Sequence, residues 1–147
     1  METEPPKLRM FAQPDNHAFI FLSLNKQNAG APPWDINTFL TPEGINSIIN
    51  DIGTGTHLSS DSNIVIEGVD AVSIEFSNSI VDSKYPIFSN HLVYFFAYQQ
   101  YLVTVHFMVV NRYNEPNYFV TNRYEIIKPL FESIFHSIKI DNTEDSK

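Results

Sequence analysis

The sequence predicts an α+β fold: an α/β/α sandwich in which helices cover both faces of a central antiparallel sheet. Two long runs, residues 86–98 and 101–111, are apolar on both sides of a strand. An antiparallel sheet with one solvated face would instead alternate apolar and polar residues. Two amphipathic helical segments, one before and one after these runs, can cover the two faces.

The predicted domain occupies residues 8–140 of the 147 residues. A chain of this length buries roughly 68–70% of the surface that its unfolded form exposes, which is enough for one self-sufficient core. Residues 1–7 and 141–147 are predicted to be disordered terminal segments.

The chain opens with two predicted strands, residues 8–13 and 17–25. The segment between them, Pro14-Asp15-Asn16, has the composition of a turn. The second strand is apolar on both sides. Residues 28–35 predict a loop, which holds the single tryptophan, Trp34.

A first helix is predicted to begin at Thr41, because a threonine cap, Pro42 at the first helical position and Glu43 suit the free N–H groups there. One apolar stripe follows at helical spacing: Ile45, Ile48, Ile49 and Ile52. Gly53 is expected to stop the helix. Residues 53–62 are rich in Gly, Thr and Ser and predict a plain loop, because no P-loop lysine accompanies them.

Two further strands are predicted at residues 64–66 and 71–76, on either side of Gly68, with a polar connector at 77–84. The long hairpin then turns at Gln99-Gln100. This register places Leu92 opposite Phe107. The same register pairs Tyr94 with Val105, Phe96 with Val103, and Tyr98 with Tyr101.

The last segment predicts a second amphipathic helix. Its apolar stripe consists of Tyr124, Ile127, Phe131, Ile134, Phe135 and Ile138. Pro129 lies inside this stripe and costs about 3 kcal/mol in a straight helix. A kink or a break is therefore expected there, with Pro129 opening the last helix.

The formal net charge of -8 disfavours nucleic acid and anionic membrane surfaces as partners, because neither attracts an anion. A neutral or basic protein partner is expected, and a homodimer is an open alternative. No window approaches the ~20 apolar residues that a membrane span requires. Cysteine is absent, which excludes disulfides and thiolate metal sites.

The histidines are the first candidates for metal or acid–base chemistry. His91 and His106 fall on the predicted hairpin as a diagonal pair with Cβ atoms about 7 Å apart. No carboxylate neighbours them on those strands, and zinc sites generally require three or four ligands. Histidines packed under a covering helix are therefore the favoured interpretation, and no metal or cofactor is predicted.

No catalytic residue is predicted. The serines lie outside the G-x-S-x-G and S-x-x-K patterns that activate an oxygen nucleophile. The acidic residues are scattered around the middle strands, and the sequence shows no cleft that would pair two of them.

Aromatic side chains near the ends of the long strands predict a protein interface, because partly buried rings are enriched there. The four candidates are Tyr98, Tyr101, Tyr113 and Tyr118. The pair Tyr98 and Tyr101 beside the turn is favoured, since it presents two adjacent rings.

The order of elements and two short motifs resemble the PsbP-like superfamily. One motif is the G-x-x-A between strands, Gly68 to Ala71. The other is the closing run Phe131, Ile134, Ser137 and Ile138. The resemblance covers about residues 8–140. The superfamily includes the extrinsic photosystem subunit, a Ran-binding nuclear import factor and small bacterial envelope lipoproteins; it implies an α/β/α sandwich without common catalytic residues.

Three functional hypotheses follow. The resemblance favours a non-catalytic binding or accessory protein of a bacterial cell envelope, extracytoplasmic, with its leader absent from this chain. Small size, acidity and aromatic strands also fit a cytoplasmic secretion chaperone for an effector protein. A small enzyme of unrecognised class is the third hypothesis.

Overall fold

The computed structural model describes residues 9–13, 17–81 and 84–140. In chain order the elements are β1 Arg9–Gln13, β2 Ala18–Lys26, a 3₁₀ helix Ile36–Leu40, α1 Pro42–Asn50, β3 Thr54–Ile66, β4 Val69–Ile80, β5 Ile87–Tyr98, β6 Tyr101–Val110 and α2 Asn117–His136. The strands form one antiparallel sheet in the order β1-β2-β6-β5-β4-β3. The predicted α+β class is confirmed. The predicted disordered segments 1–7 and 141–147, together with the turn at 14–16, lie outside the described residues.

Helix α1 begins as its sequence predicts. The Thr41 hydroxyl oxygen accepts a hydrogen bond from the Gly44 N–H at 3.0 Å, and Pro42 occupies the first turn. The helix ends at Asn50, before Gly53. A Cβ at Gly53 would lie 2.5 Å from Asn78 Oδ1, so close packing against β4 requires glycine there.

The predicted loop at residues 53–62 is wrong, because Thr54 starts strand β3, which pairs with β4 along its length. The predicted connector at 77–84 is also wrong in its first part, since β4 continues to Ile80. Strand β3 lies at the edge of the sheet and its first ten residues are exposed. An exposed edge strand needs no apolar alternation, and two shifts of the pairing register, after His57 and after Asp61, further interrupt its pattern.

Two hairpin turns lie where the sequence predicts them. Glu67 and Gly68 link β3 to β4 with φ of 51° and 79°, the left-handed conformation that two-residue hairpin turns favour. The β5–β6 hairpin turns at Gln99-Gln100, and Leu92 faces Phe107 as predicted. The other predicted cross-strand pairs of this hairpin are also confirmed.

Helix α2 is continuous from Asn117 to His136, with Pro129 inside it. The predicted break at Pro129, and its role as the start of a last helix, are therefore wrong. Pro129 lies on the exposed side of the helix. The opposite side is held against the sheet by five buried residues, Val120, Tyr124, Ile127, Phe131 and Phe135. Their burial offsets the cost of about 3 kcal/mol that the proline imposes.

Buried residues form two hydrophobic clusters that draw on alternate positions of β5. The first cluster contains Tyr94 and residues of α2, and the rings of Tyr94 and Phe135 stack with centroids 3.7 Å apart. The second contains Phe95 and residues of α1, and the ring of Phe39 stacks on Phe95 at 4.2 Å.

Candidate functional site

A groove of about 520 Å³ lies beside the tip of the β5–β6 hairpin. This volume lies within the range typical of ligand pockets. Apolar atoms make up most of its lining surface, and the residues that line it are Lys26, Gln27, Asn28, Ala31, Pro32, Pro33, Trp34, Asp35, Thr38 and Phe39. We call this the Trp34 groove.

Two hydrogen bonds fasten the wall of the Trp34 groove to the hairpin tip. The Trp34 indole N–H donates to the Gln100 carbonyl at 3.3 Å, and the Gln27 backbone N–H donates to the same carbonyl at 2.7 Å. The Gln27 side-chain amide also donates within the loop, to the Ala31 and Pro32 carbonyls. These contacts hold a partly buried tryptophan beside the turn that the sequence singles out.

The structure brings together the favoured pair Tyr98 and Tyr101, which face each other across β5 and β6 and are both partly buried. They lie at the same end of the hairpin as the Trp34 groove. Tyr98 packs against the first hydrophobic cluster, whereas Trp34 packs against the second. A partner that contacted both would reach around the hairpin tip.

Tyr113 and Tyr118 are the more exposed candidates, at 69% and 61%. They follow β6 and so lie away from the hairpin tip. The ring of Tyr113 packs at a tilt on Tyr85 with centroids 4.5 Å apart, and Tyr118 stacks on Phe119. All four predicted tyrosines therefore retain exposed or partly exposed ring surface, at two separate places.

One face of β2 and β6 carries partly buried apolar side chains. Phe19 faces Met108, and Phe21 faces His106 with ring centroids 5.9 Å apart. Helix α1 and the 3₁₀ helix pack mainly against β3, β4 and β5. We call Phe19, Phe21, His106 and Met108 the β2–β6 patch. From the sequence we predicted only that β2 is apolar on both sides.

A second cavity, of about 180 Å³, lies where α2 crosses β3, β4 and β5. We call it the Glu75 cavity. Its lining residues are Ser59, Asp61, Ile64, Ser73, Glu75, Leu92, Tyr94, Lys128, Glu132 and His136. Polar and charged side chains therefore line one side of α2, whereas other side chains of the same helix belong to the hydrophobic core.

Glu75 organises this cavity. One carboxylate oxygen accepts a hydrogen bond from Ser59 Oγ at 2.7 Å; the other accepts one from Tyr124 Oη at 2.7 Å and pairs with Lys128 Nζ at 2.9 Å. Burial works to raise the pKa of Glu75, but the hydrogen bonds from Tyr124, Ser59 and Lys128 outweigh it and hold the pKa below its ordinary value. Glu75 is therefore ionised although it is 7% exposed.

Sequence reasoning missed the Glu75 cavity, yet a signal was present. Tyr124, Lys128, Glu132 and His136 recur every four residues and so form a polar stripe along one side of α2. Only the tertiary structure shows that this stripe faces Glu75. From the sequence we regarded Glu75 only as one of several acidic residues scattered around the middle strands.

His91 and His106 form the predicted diagonal pair. His91 Nδ1 and His106 Nε2 lie 2.7 Å apart, and Ser89 Oγ lies 2.6 Å from His91 Nε2. Burial, reinforced by the neighbouring His106, lowers the pKa of His91 to about 3, and burial lowers the pKa of His106 to about 4. Both rings are neutral near pH 7.

The Ser89–His91–His106 chain has the residue types of a nucleophile with its base, but its surroundings are those of a core. Ser89 and His91 are buried, and the ring of Phe76 stacks on His91 at 4.4 Å. A nucleophile must be reachable by its substrate. The geometry therefore matches the favoured interpretation of packed histidines, and among the described residues no three His, Asp or Glu side chains gather as metal ligands.

Within the described part of the chain, no helix is long and apolar enough to cross a membrane.

Comparison with known proteins finds a similarity to solved structures. No family model matches the chain, and no curated protein matches it. Its structure is similar to the crystal structure of PA94 from Pseudomonas aeruginosa, a protein of unknown function described as a putative regulator. The TM-score is 0.65 at 10% sequence identity, over 96% of this chain and 88% of the other. At this identity the likeness shows a shared fold alone.

Proposed function

We propose that this chain is a non-catalytic binding or accessory protein of PsbP-like type that captures a polypeptide at the tip of the β5–β6 hairpin. The observation that carries the proposal is the Trp34 groove, about 520 Å³ in volume and mostly apolar. Binding surfaces concentrate their energy in tryptophan, tyrosine and arginine side chains that lie in pockets. Trp34 lies in the groove, and Tyr98 and Tyr101 lie at the same end of the hairpin, with Tyr98 packed against the other hydrophobic cluster.

The layer arrangement supports the assignment to a PsbP-like sandwich. Tyr94 and Phe95 are neighbours on β5, so their side chains point to opposite faces of the sheet. Tyr94 packs on α2, whereas Phe95 packs on the 3₁₀ helix that precedes α1. We infer that helices cover both faces of the sheet, as in an α/β/α sandwich.

The charge of the chain narrows the partner. The formal net charge is -8, and Lys26 and Asp35 in the groove lining offset each other. A neutral or basic polypeptide with an apolar side chain that enters the groove fits this surface. A bacterial envelope remains our proposed setting for this binding.

A second candidate function is a secretion chaperone for an effector protein, and the β2–β6 patch favours it. Phe19, Phe21 and Met108 present apolar surface on a sheet face, and methionine adapts its shape to different partners. Such a surface suits an apolar client segment that is held before export.

Site-specific photo-crosslinking in the native cell separates the two functions. A photoreactive phenylalanine at Ala31 reports on the Trp34 groove, one at Met108 reports on the β2–β6 patch, and one at exposed Ser47 of α1 serves as control. A specific crosslinked polypeptide from position 31 supports the binding protein, and one from position 108 supports the chaperone. Crosslinks that are equally frequent at position 47 would overturn both.

Purified partner then tests the groove quantitatively. Trp34→Ala should weaken binding by at least about tenfold, since a tryptophan at the centre of an interface contributes about 2 kcal/mol or more. Ile126→Ala, at an 81% exposed position of α2, is the matched control and should leave the affinity unchanged. Equal affinity of both variants would show that the groove is not the binding site.

A further inference from the structure

The tip of the β5–β6 hairpin contains a residue in a strained backbone conformation. Gln99 has φ of 55°, which lies in the left-handed region that glycine enters freely and that a Cβ makes costly for other residues. Of the two turn residues, Gln99 alone has a positive φ, and glycine is the favoured residue at the first position of two-residue turns with that pattern. Such strain persists only where surrounding contacts maintain it.

Contacts from the loop of the Trp34 groove maintain this turn. The Gln100 carbonyl accepts the Gln27 backbone N–H at 2.7 Å and the Trp34 indole N–H at 3.3 Å. Gln27 directly follows β2, so the first of these bonds continues the pairing of β2 with β6 beyond Lys26 and Tyr101. One carbonyl oxygen at the hairpin tip therefore holds both ends of the loop.

The middle of this loop is joined mainly to the loop itself. Residues 28–33 are exposed. The Gln27 side-chain amide donates to the carbonyls of Ala31 and Pro32, which belong to the same loop. The bonds to the tip carbonyl, together with the packing of Trp34 against the second hydrophobic cluster, fix the loop to the sheet.

The bond from the indole N–H fixes how Trp34 lies in the groove. An indole has a single N–H donor, so a bond from that donor to a fixed acceptor sets the orientation of the ring. Phe39, which lines the same groove, is fixed separately by stacking on Phe95 at 4.2 Å. The groove therefore has one aromatic side chain held by the core and one held by the hairpin tip.

We propose that the hairpin tip is the positioning element of the Trp34 groove. The left-handed backbone of Gln99 directs the Gln100 carbonyl toward Trp34 and Gln27, and these bonds preform the groove, although neither turn residue lines it. A preformed groove spares a partner the entropy cost of ordering the loop. This inference rests on the proposed function, because it assigns what prepares that groove for a polypeptide.

The first test compares two substitutions of exposed Gln99 that both remove its amide. Gln99→Gly adopts a positive φ freely, whereas the β-branched side chain of Gln99→Val opposes it. Trp34 is the single tryptophan, so quenching of its fluorescence by acrylamide, measured well below the melting temperature of each variant, reports on the groove.

We expect the quenching constant of Gln99→Val to exceed that of the unmodified chain by at least about twofold, because a loosened loop exposes the indole to solvent. Gln99→Gly should be quenched as the unmodified chain is. Equal quenching of the two variants, whether raised or unchanged, would overturn the proposal, since it would show that the backbone conformation at position 99 does not hold Trp34.

A second pair of variants leaves the hairpin sequence intact and so gives a result even where Gln99→Val fails to fold. Gln27→Pro removes the backbone N–H that donates to the tip carbonyl. Gln27→Ala keeps this N–H and, like the proline, removes the side-chain amide, so it is the matched control. The proline variant should be quenched more strongly than the alanine variant; quenching that is no stronger would contradict the role of the tip carbonyl.

Affinity then separates this inference from the proposed function. For the polypeptide that crosslinks at position 31, Gln99→Val should bind at least about fivefold more weakly than Gln99→Gly, since its groove is preformed in only a fraction of the molecules. Absence of such a polypeptide, with quenching that still distinguishes the variants, would refute the proposed function and leave the positioning of Trp34 supported. Equal affinity of the two variants would show that the tip does not prepare the groove for binding.

Discussion

Acidification should destabilise this protein well before its carboxylates titrate, because His91 and His106 are held neutral in the folded state. The pKa of His91 is about 3 and that of His106 about 4, against an ordinary value of 6.5. Below pH 6.5 the unfolded chain binds protons at these two positions and the folded chain does not. Stability is therefore fully present above pH 6.5 and falls as the pH drops toward 4.

The size of the effect follows from the pKa difference. Each histidine contributes about 1.4 kcal/mol per pH unit below 6.5, since one pKa unit corresponds to that free energy. Between pH 7.5 and 5.5 the two together would lose about 3 kcal/mol. His106 is only partly buried, so solvent screens its share, and we expect a loss of about 2 to 3 kcal/mol. This is a large part of the stability of about 5–15 kcal/mol typical of a domain.

Urea unfolding at pH 7.5, 6.5 and 5.5, followed by circular dichroism, measures the loss. The double variant His91→Leu with His106→Leu removes both titrating rings and should lose much less stability over the same range. His136→Gln, at an exposed position of α2, is the matched control and should behave as the unmodified chain. A free energy of unfolding that is constant from pH 7.5 to 5.5, or an equal loss in the double variant, would refute the reasoning.

Three further predictions concern packing, turn geometry and the interface. Phe135→Ala should lower the free energy of unfolding by about 3–5 kcal/mol, because the ring is fully buried, and Ile126→Ala should change it by less than about 0.5 kcal/mol; urea unfolding checks both. Glu67→Asn should raise stability by about 0.5–1 kcal/mol, since asparagine tolerates the positive φ of 51° better; a lower melting temperature would contradict this. Replacing both Tyr98 and Tyr101 by serine should weaken partner capture in pull-downs while the melting temperature falls only slightly; unchanged capture, or loss of the fold, would show that these rings only pack.

The sequence predicted those elements whose signal is local or repeats along one strand. Thr41 and Pro42 identified the start of α1, because capping depends on neighbouring residues. The two runs that are apolar on both sides identified the β5–β6 hairpin. The position of its turn then fixed every cross-strand pair, since a shift of the pairing register by one residue would move each side chain to the other face of the sheet.

The same reasoning failed where burial is decided from outside the segment. Strand β3 has a polar sequence because it lies at an edge, and only its pairing with β4 makes it a strand. Pro129 stays inside α2 because the buried side of that helix is held by the sheet. Local propensity carries no information about either neighbour.

For the candidate sites too, some features follow from local sequence signals and others only from the packing of distant segments. The amino-acid sequence by itself determined the class of fold, the pairing of His91 with His106 and the aromatic strand ends. Only the tertiary structure brought Trp34 to the hairpin tip and turned the polar stripe of α2 toward Glu75. The physical reason is distance along the chain: Lys128 and Glu75 meet through the packing of a helix on a sheet, and no local pattern specifies that contact.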